Sequence, residues 1–138
     1  MIAALVLAED LRAQIAREAR AAYPRECCGL IEGYRDGARV IATALHPARN
    51  IAEDSDRFEI DPAQHIALLR ALRGTAHDIV GCYHSHPNGR AEPSERDRDA
   101  VTESGFIWII AGCDPNGVCL LSGFAATADN FCPVRLQG

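Results

Sequence analysis

Lysine is missing from this chain of 138 residues: all 14 basic side chains are arginine. No lysine side chain is therefore offered for isopeptide attachment or Schiff-base chemistry. Positive charge is also short, with 19 acidic residues and a formal net charge of -5. A nucleic-acid partner is disfavoured, because phosphate binding needs a basic face. Long hydrophobic runs are absent too. The opening MIAALVLAED is apolar but short, has no basic segment, and is ended by Glu9 and Asp10. It fits a first strand better than a signal peptide, and no other stretch is long enough to cross a bilayer. A cytoplasmic protein with reduced thiols is the expectation. The six cysteines have no C-x-x-C spacing, which argues against a structural zinc knuckle. Most of them are expected to be small buried core residues.

Linkers, repeats and low-complexity tracts are also lacking, so residues 1–138 are expected to form one domain. Residues 2–8 suit a strand. Residues 10–22 put Leu11, Ile15, Ala19 and Ala22 on one helical face. CCGLIEGY and ARVIATAL suit two strands joined through Arg35, Asp36 and Gly37. A polar loop, 46–56, precedes a short strand at Arg57–Ile60. A helix follows, capped by Asp61, opened by Pro62 and ended by Gly74. Strands are expected over 78–86, 106–112, 118–126 and 131–136, with a polar helix over 94–104. A four-residue loop, Asp114 to Gly117, would set Cys113 opposite Val118 and leave Cys113 and Cys119 unbonded. Hairpins mixed with helices imply an α/β fold with a mixed sheet and helices on its faces.

Chemistry concentrates in GCYHSHPNGRAEPSERDRDA, residues 81–100. His84 and His86 are two apart in a strand, so both project to one side. A turn at Pro87, Asn88 and Gly89 leads to a helix begun by Ser94, with Asp97 in its first turn. Two histidines and a carboxylate make a three-ligand zinc site with one position left for water, and zinc lowers the pKa of that water toward ~7. Alone, Ser94-x-x-Asp97 is close to a capping box, a purely structural device. Ser94 can both cap the helix and aim its hydroxyl at the site. Water activation also needs a base that is not a ligand. Glu26, at the start of an apolar strand, ranks first, since a carboxylate is costly there unless it serves something. Glu32, beside the hairpin, ranks lower. His46, His65 and His77 are expected to have no catalytic role, Phe106 and Trp108 to be core, and Asn50 and Phe58 to flank a loop bordering the substrate groove.

The run His84-Ser85-His86-Pro87, six residues, then Ser94-x-x-Asp97 resembles the signature of the JAMM (MPN+) metalloprotease family. Pro24, Glu26, Cys28 and Gly29 resemble that family's upstream P-x-E-x-C-G segment, and the likeness spans roughly Tyr23 to Gly123. The resemblance implies a cytidine-deaminase-like three-layer sandwich around a mixed sheet. It implies Zn2+ held by His84, His86 and Asp97, Glu26 as general acid/base, and Ser94 stabilising the oxyanion. It further implies a peptidase acting after the C-terminal Gly-Gly of a ubiquitin-like or sulfur-carrier protein, releasing a small group such as cysteine or a short peptide. A zinc deaminase of similar fold is disfavoured, because such sites use H-x-E with P-C-x-x-C. A non-catalytic binding scaffold would not need Glu26, His84, His86 and Asp97 together. Only eight residues separate Asp97 from Phe106, which leaves little surface for a second folded protein.

Overall fold

The computed structural model describes residues 1–138. Seven strands and three helices follow in the order β1 (Ala4–Val6), α1 (Glu9–Ala22), β2 (Cys28–Asp36), β3 (Arg39–Ala48), α2 (Pro62–Leu72), β4 (Asp78–His86), α3 (Glu95–Asp99), β5 (Ile107–Cys113), β6 (Cys119–Ala126) and β7 (Phe131–Gln137). No helix is long and apolar enough to cross a membrane.

The mixed sheet is present, but the expected three-layer sandwich is not its shape. The strands close into a barrel in the order β1-β3-β2-β4-β5-β6-β7. Closure depends on the short β1, which pairs in parallel with β3 on one side and β7 on the other. β4 and β5 are parallel, and every other neighbouring pair is antiparallel. Two cores form. The larger joins Ile15 and Ala19 of α1 to Leu5, Ile31, Val40, Tyr83, Ile107 and Ile109. The smaller joins Leu68 of α2 to Leu30, Cys82 and Trp108. Alternation along β4 thus sends Tyr83 toward α1, and Cys82 and then His84 and His86 toward the side of α2.

Local signals were sound where capping residues carried them. Asp61 accepts from Ala63 N–H at 3.0 Å with Pro62 in the first turn of α2, and Gly74 past its end has φ 78°. Two expected elements shrink. Arg57–Ile60 is no strand; only an isolated bridge joins Asn50 to Ile60. The polar helix ends at Asp99 instead of running to 104. Asp97 is its one buried residue, so no apolar stripe exists to carry it further.

The cysteines need correction. Cys28, Cys82 and Cys113 are buried, but Cys132 is exposed. Cys113 and Cys119 face each other in the ladder and form a disulfide. The loop is five residues long, not four. Asp114 explains it: its carboxylate accepts from Asn116 and Val118 N–H at 2.9 and 3.0 Å, and its N–H donates to Val118 O at 3.0 Å. Val118 is thereby drawn into the turn, and the pairing slips by one residue.

Candidate metal centre

His84 and His86 reach the same point because β4 presents alternate residues on one face. Their Nε2 atoms lie 3.0 Å apart. After the turn, α3 brings back Asp97, whose Oδ2 lies 3.2 Å from both of these nitrogens. All three residues are at most 6 % exposed. Donor atoms bound at ~2.0–2.1 Å to a tetrahedral ion stand a little over 3 Å apart. The observed spacing fits a shared cation as well as it fits hydrogen bonds to the carboxylate. Two imidazole nitrogens 3.0 Å apart gain nothing from each other when both carry lone pairs.

The surroundings prepare this donor set. His86 Nδ1–H donates to Arg90 O at 3.0 Å, which turns the Nε2 lone pair toward Asp97. His84 is wholly buried, and its Nδ1 has no partner. Phe58 stacks on the His84 ring with centroids 4.2 Å apart and planes 21° apart, while Trp108 meets it edge-on at 5.8 Å. Burial holds the His84 pKa below the usual imidazole value. Burial also opposes charge on His86, but Asp97 and then Glu26 outweigh it and raise that pKa. Asp97 is held well below the usual carboxylate range: burial would raise it, and the bonds to His84 and His86 overcome that.

Asp97 is also part of a complete capping box. Ser94 Oγ accepts from Asp97 N–H at 3.1 Å, and Asp97 Oδ2 accepts from Ser94 N–H at 2.9 Å. The capping reading of this segment is borne out, and the box leaves the Asp97 carboxylate beside both histidines.

Glu26 lies in the coil just before β2, 5 % exposed, with a carboxylate oxygen within 4.8 Å of ligand atoms on His84 and His86. Burial, helped by the nearby Asp97 charge and opposed by His86, raises its pKa to about 7. Two groups hold its backbone. Ser85 Oγ accepts from Cys27 N–H at 2.8 Å, and Asn50 Nδ2 donates to Glu26 O at 3.0 Å. Asn50 also donates to Arg57 O and accepts from Ala52 and Glu59 N–H, so it organises the whole loop that carries Phe58. Arg96 of α3 latches the same loop through Asp56 at 3.0 Å. Glu26, Asp56, His86, Arg90 and Ser94 line a cleft of about 260 Å³.

The site therefore gathers Glu26, His84, His86, Ser94 and Asp97. Glu32 is elsewhere, bound to His46 and His77, and bonds from His77 and then His46 lower its pKa. Trp108 is core, as expected, and Phe106 packs against that core. Burial pushes the nearby Cys27 thiol to about 11 and Cys28 to about 12, which disfavours a thiolate beside the site. Sequence reasoning gave no part to Ser85, Arg90 and Arg96. It named Asn50 and Phe58 only as flanks of the groove.

Comparison with known proteins agrees with this picture. Residues 8–122 match the family described as prokaryotic homologs of the JAB domain. A desampylase from Haloferax volcanii is 37% identical over 132 residues, covering 92% of this chain and 91% of that protein. A "Probable TtuB-protein conjugate cleaving protease" from Thermus thermophilus is 38% identical over 92 residues, covering 66% of this chain and 56% of the relative. The structure superposes on a JAB1/MPN domain protein from Archaeoglobus fulgidus with a TM-score of 0.61 at 17% identity, over 99% of this chain and 100% of that one. With its strand-turn-helix motif and its barrel both accounted for, the chain belongs to the prokaryotic JAB-domain family.

Proposed function

We propose that the protein is a zinc-dependent peptidase that hydrolyses the amide bond after the C-terminal Gly-Gly of a ubiquitin-like or sulfur-carrier protein. One observation carries the reading: His84, His86 and Asp97 converge within 3.2 Å, and the buried Glu26 carboxyl stands within 4.8 Å of both histidines without a hydrogen bond to them. Zinc held by those three residues would polarise the scissile carbonyl and make hydroxide available near neutral pH. Glu26 takes the proton of the attacking water and delivers it to the leaving amine. The charge of zinc bound there would favour its ionised, basic form before attack. The cap bond occupies the Ser94 Oγ as an acceptor and leaves its O–H to donate to the developing oxyanion. Ser85 and Asn50 keep Glu26 in place through its backbone.

The relatives' names support an action on protein conjugates, and the Gly-Gly tail follows from the resemblance to JAMM peptidases. Glycine allows the close backbone approach that a cleft of about 260 Å³ demands. A small leaving group fits the one-turn α3, which adds little surface beside the cleft. A protein leaving group is the second reading, favoured by the relative named for TtuB-protein conjugates. The test uses one ubiquitin-like protein in two forms: with a short extension after Gly-Gly, and joined to the lysine of a second folded domain. Zinc-loaded protein should trim the extension faster, with cleavage mapped by mass spectrometry. Faster release of the lysine-linked domain would select the second reading. No cleavage of either form by protein carrying one zinc would leave a binding scaffold. His86→Ala should lose the zinc, and retained metal would remove that residue from the ligand set.

A further inference from the structure

The two histidines of β4 are held unequally. His86 has an outer partner, because its Nδ1–H donates to Arg90 O. His84 has none: its ring is fully buried, and its Nδ1 meets no hydrogen-bonding group. A ligating histidine is ordinarily oriented by an acceptor on its second nitrogen. Without one, no polar contact on that side resists rotation of the ring about its Cβ–Cγ bond, which is a soft torsion.

Packing takes over that task. Phe58 lies nearly flat on one face of the His84 ring, with centroids 4.2 Å apart and planes 21° apart. His86 and Trp108 meet the same ring at 70° and 87°, with centroids 4.7 and 5.8 Å away. Phe58 in turn stands edge-on to Trp108, at 6.0 Å and 73°. Carbon atoms settle at ~3.5–4.0 Å from one another, so a turn of the imidazole would drive its edge into the ring stacked on it. The stack fixes the plane of His84. Asp97, 3.2 Å from Nε2, fixes which edge faces the site.

Phe58 can act as a plate because its own backbone is clamped. Asn50 Nδ2 donates to Arg57 O at 3.1 Å, and Asn50 Oδ1 accepts from Glu59 N–H at 3.0 Å. One side chain thus holds the peptide groups of both neighbours of Phe58. Ile51 N–H adds a bond to Glu59 O at 2.9 Å. Arg57 and Glu59 point into solvent, while the ring between them turns inward onto His84.

We propose that Phe58 is the positioning residue of His84: its ring does by stacking what the Arg90 carbonyl does for His86 by hydrogen bonding. This role rests on the reading of His84 as a metal ligand, and it names the side chain that sets that ligand's angle.

Chelator competition on the full chain gives the zinc dissociation constant of the starting protein and of Phe58→Leu, Phe58→Tyr and Ile60→Ala. Leucine keeps an apolar side chain but has no flat face, and tyrosine restores the face. Ile60 packs on the same small core as Phe58, so its truncation is the control for general loosening. Phe58→Leu should raise the constant about tenfold or more, as loss of an outer partner does, while Phe58→Tyr and Ile60→Ala stay within about threefold. The ring ¹⁵N signals of His84 in the zinc-loaded proteins should shift or broaden in Phe58→Leu alone. A Phe58→Leu constant equal to that of the starting protein overturns the role. An equal loss in Ile60→Ala overturns it too, since the core as a whole would then set the affinity. Zinc binding left unchanged by His84→Ala is a different failure: it removes His84 from the ligand set, and this role with it.

Discussion

Replacing Gly112 by alanine should weaken zinc binding although Gly112 is no ligand. Gly112 pairs with His86 across the parallel β4–β5 ladder and lies under the loop that follows His86. A Cβ built there meets Arg90 C at 2.5 Å, Ala91 N at 2.6 Å and Gly89 O at 2.7 Å. Carbon contacts settle at ~3.5–4.0 Å, so something must yield by roughly 1 Å. β5 is buried along its whole length and paired on both edges, whereas Asn88 and Arg90 are exposed. The loop therefore moves. Arg90 O, now 3.0 Å from His86 Nδ1, would be carried out of bonding range. Loss of an outer partner of a ligating histidine costs about 10–100-fold in metal affinity, or ~1.4–2.8 kcal/mol.

Chelator competition measures that affinity, and urea unfolding of the metal-free protein gives the control. The expected pattern is a dissociation constant raised at least tenfold in Gly112→Ala protein that still unfolds cooperatively. A folded variant binding zinc within threefold of the original would show that the Arg90 carbonyl does not orient His86.

Glu26→Gln should retain one zinc per chain and lose turnover by ~100-fold or more; full activity in the loaded variant would move the base elsewhere. In the metal-free protein the contribution of Glu26 to stability should fall as pH rises. Glu26 releases its proton near 4.5 when unfolded and at about 7 when folded, so the folded state holds the extra proton between those values. Stability from this group is whole below pH 4.5 and falls by ~3 kcal/mol by pH 7. Urea unfolding of Glu26→Gln should lack that decline, and parallel pH profiles for the two proteins would contradict it. Replacing Cys113 and Cys119 by serine should cost ~2 kcal/mol, the loop-closure value for so short a ring. An intact mass without the two-hydrogen deficit would remove the bond itself.

The legible part of the site was the part compressed into a few residues. His84, His86, Ser94 and Asp97 lie within one strand, one turn and one helical start, so periodicity and capping chemistry were enough to join them. Glu26 lies 58 residues before His84, and only its cost in an apolar strand, with the family resemblance, pointed to it. Asn50, Ser85 and Phe58 act through contacts between distant segments, and no local pattern records those. The barrel was missed for the same reason. Closure rests on three residues of β1 pairing with β3 on one side and with β7, more than 120 residues away, on the other. The hairpin at Cys113 failed at shorter range, because one aspartate side chain enlarged a turn by one residue and reversed every face beyond it.

Under the proposed function, Asp97 joins a capping motif to a ligand motif. α3 is five residues long, too short to persist on its own hydrogen bonds. Any ligand it carries needs its position fixed by other means. The box does this through both ends of Asp97: the N–H is held by Ser94 Oγ, and Oδ2 is held by Ser94 N–H. The same oxygen remains 3.2 Å from His84 and His86, and Oδ1 is 3.1 Å from His84. An oxygen with two lone-pair directions can serve the cap and the ion together. A longer helix would have needed an apolar face against the barrel, covering the cleft that Glu26 and Ser94 line. One turn, closed by its own side chains and latched by Arg96 to Asp56, places the carboxylate and leaves the cleft open.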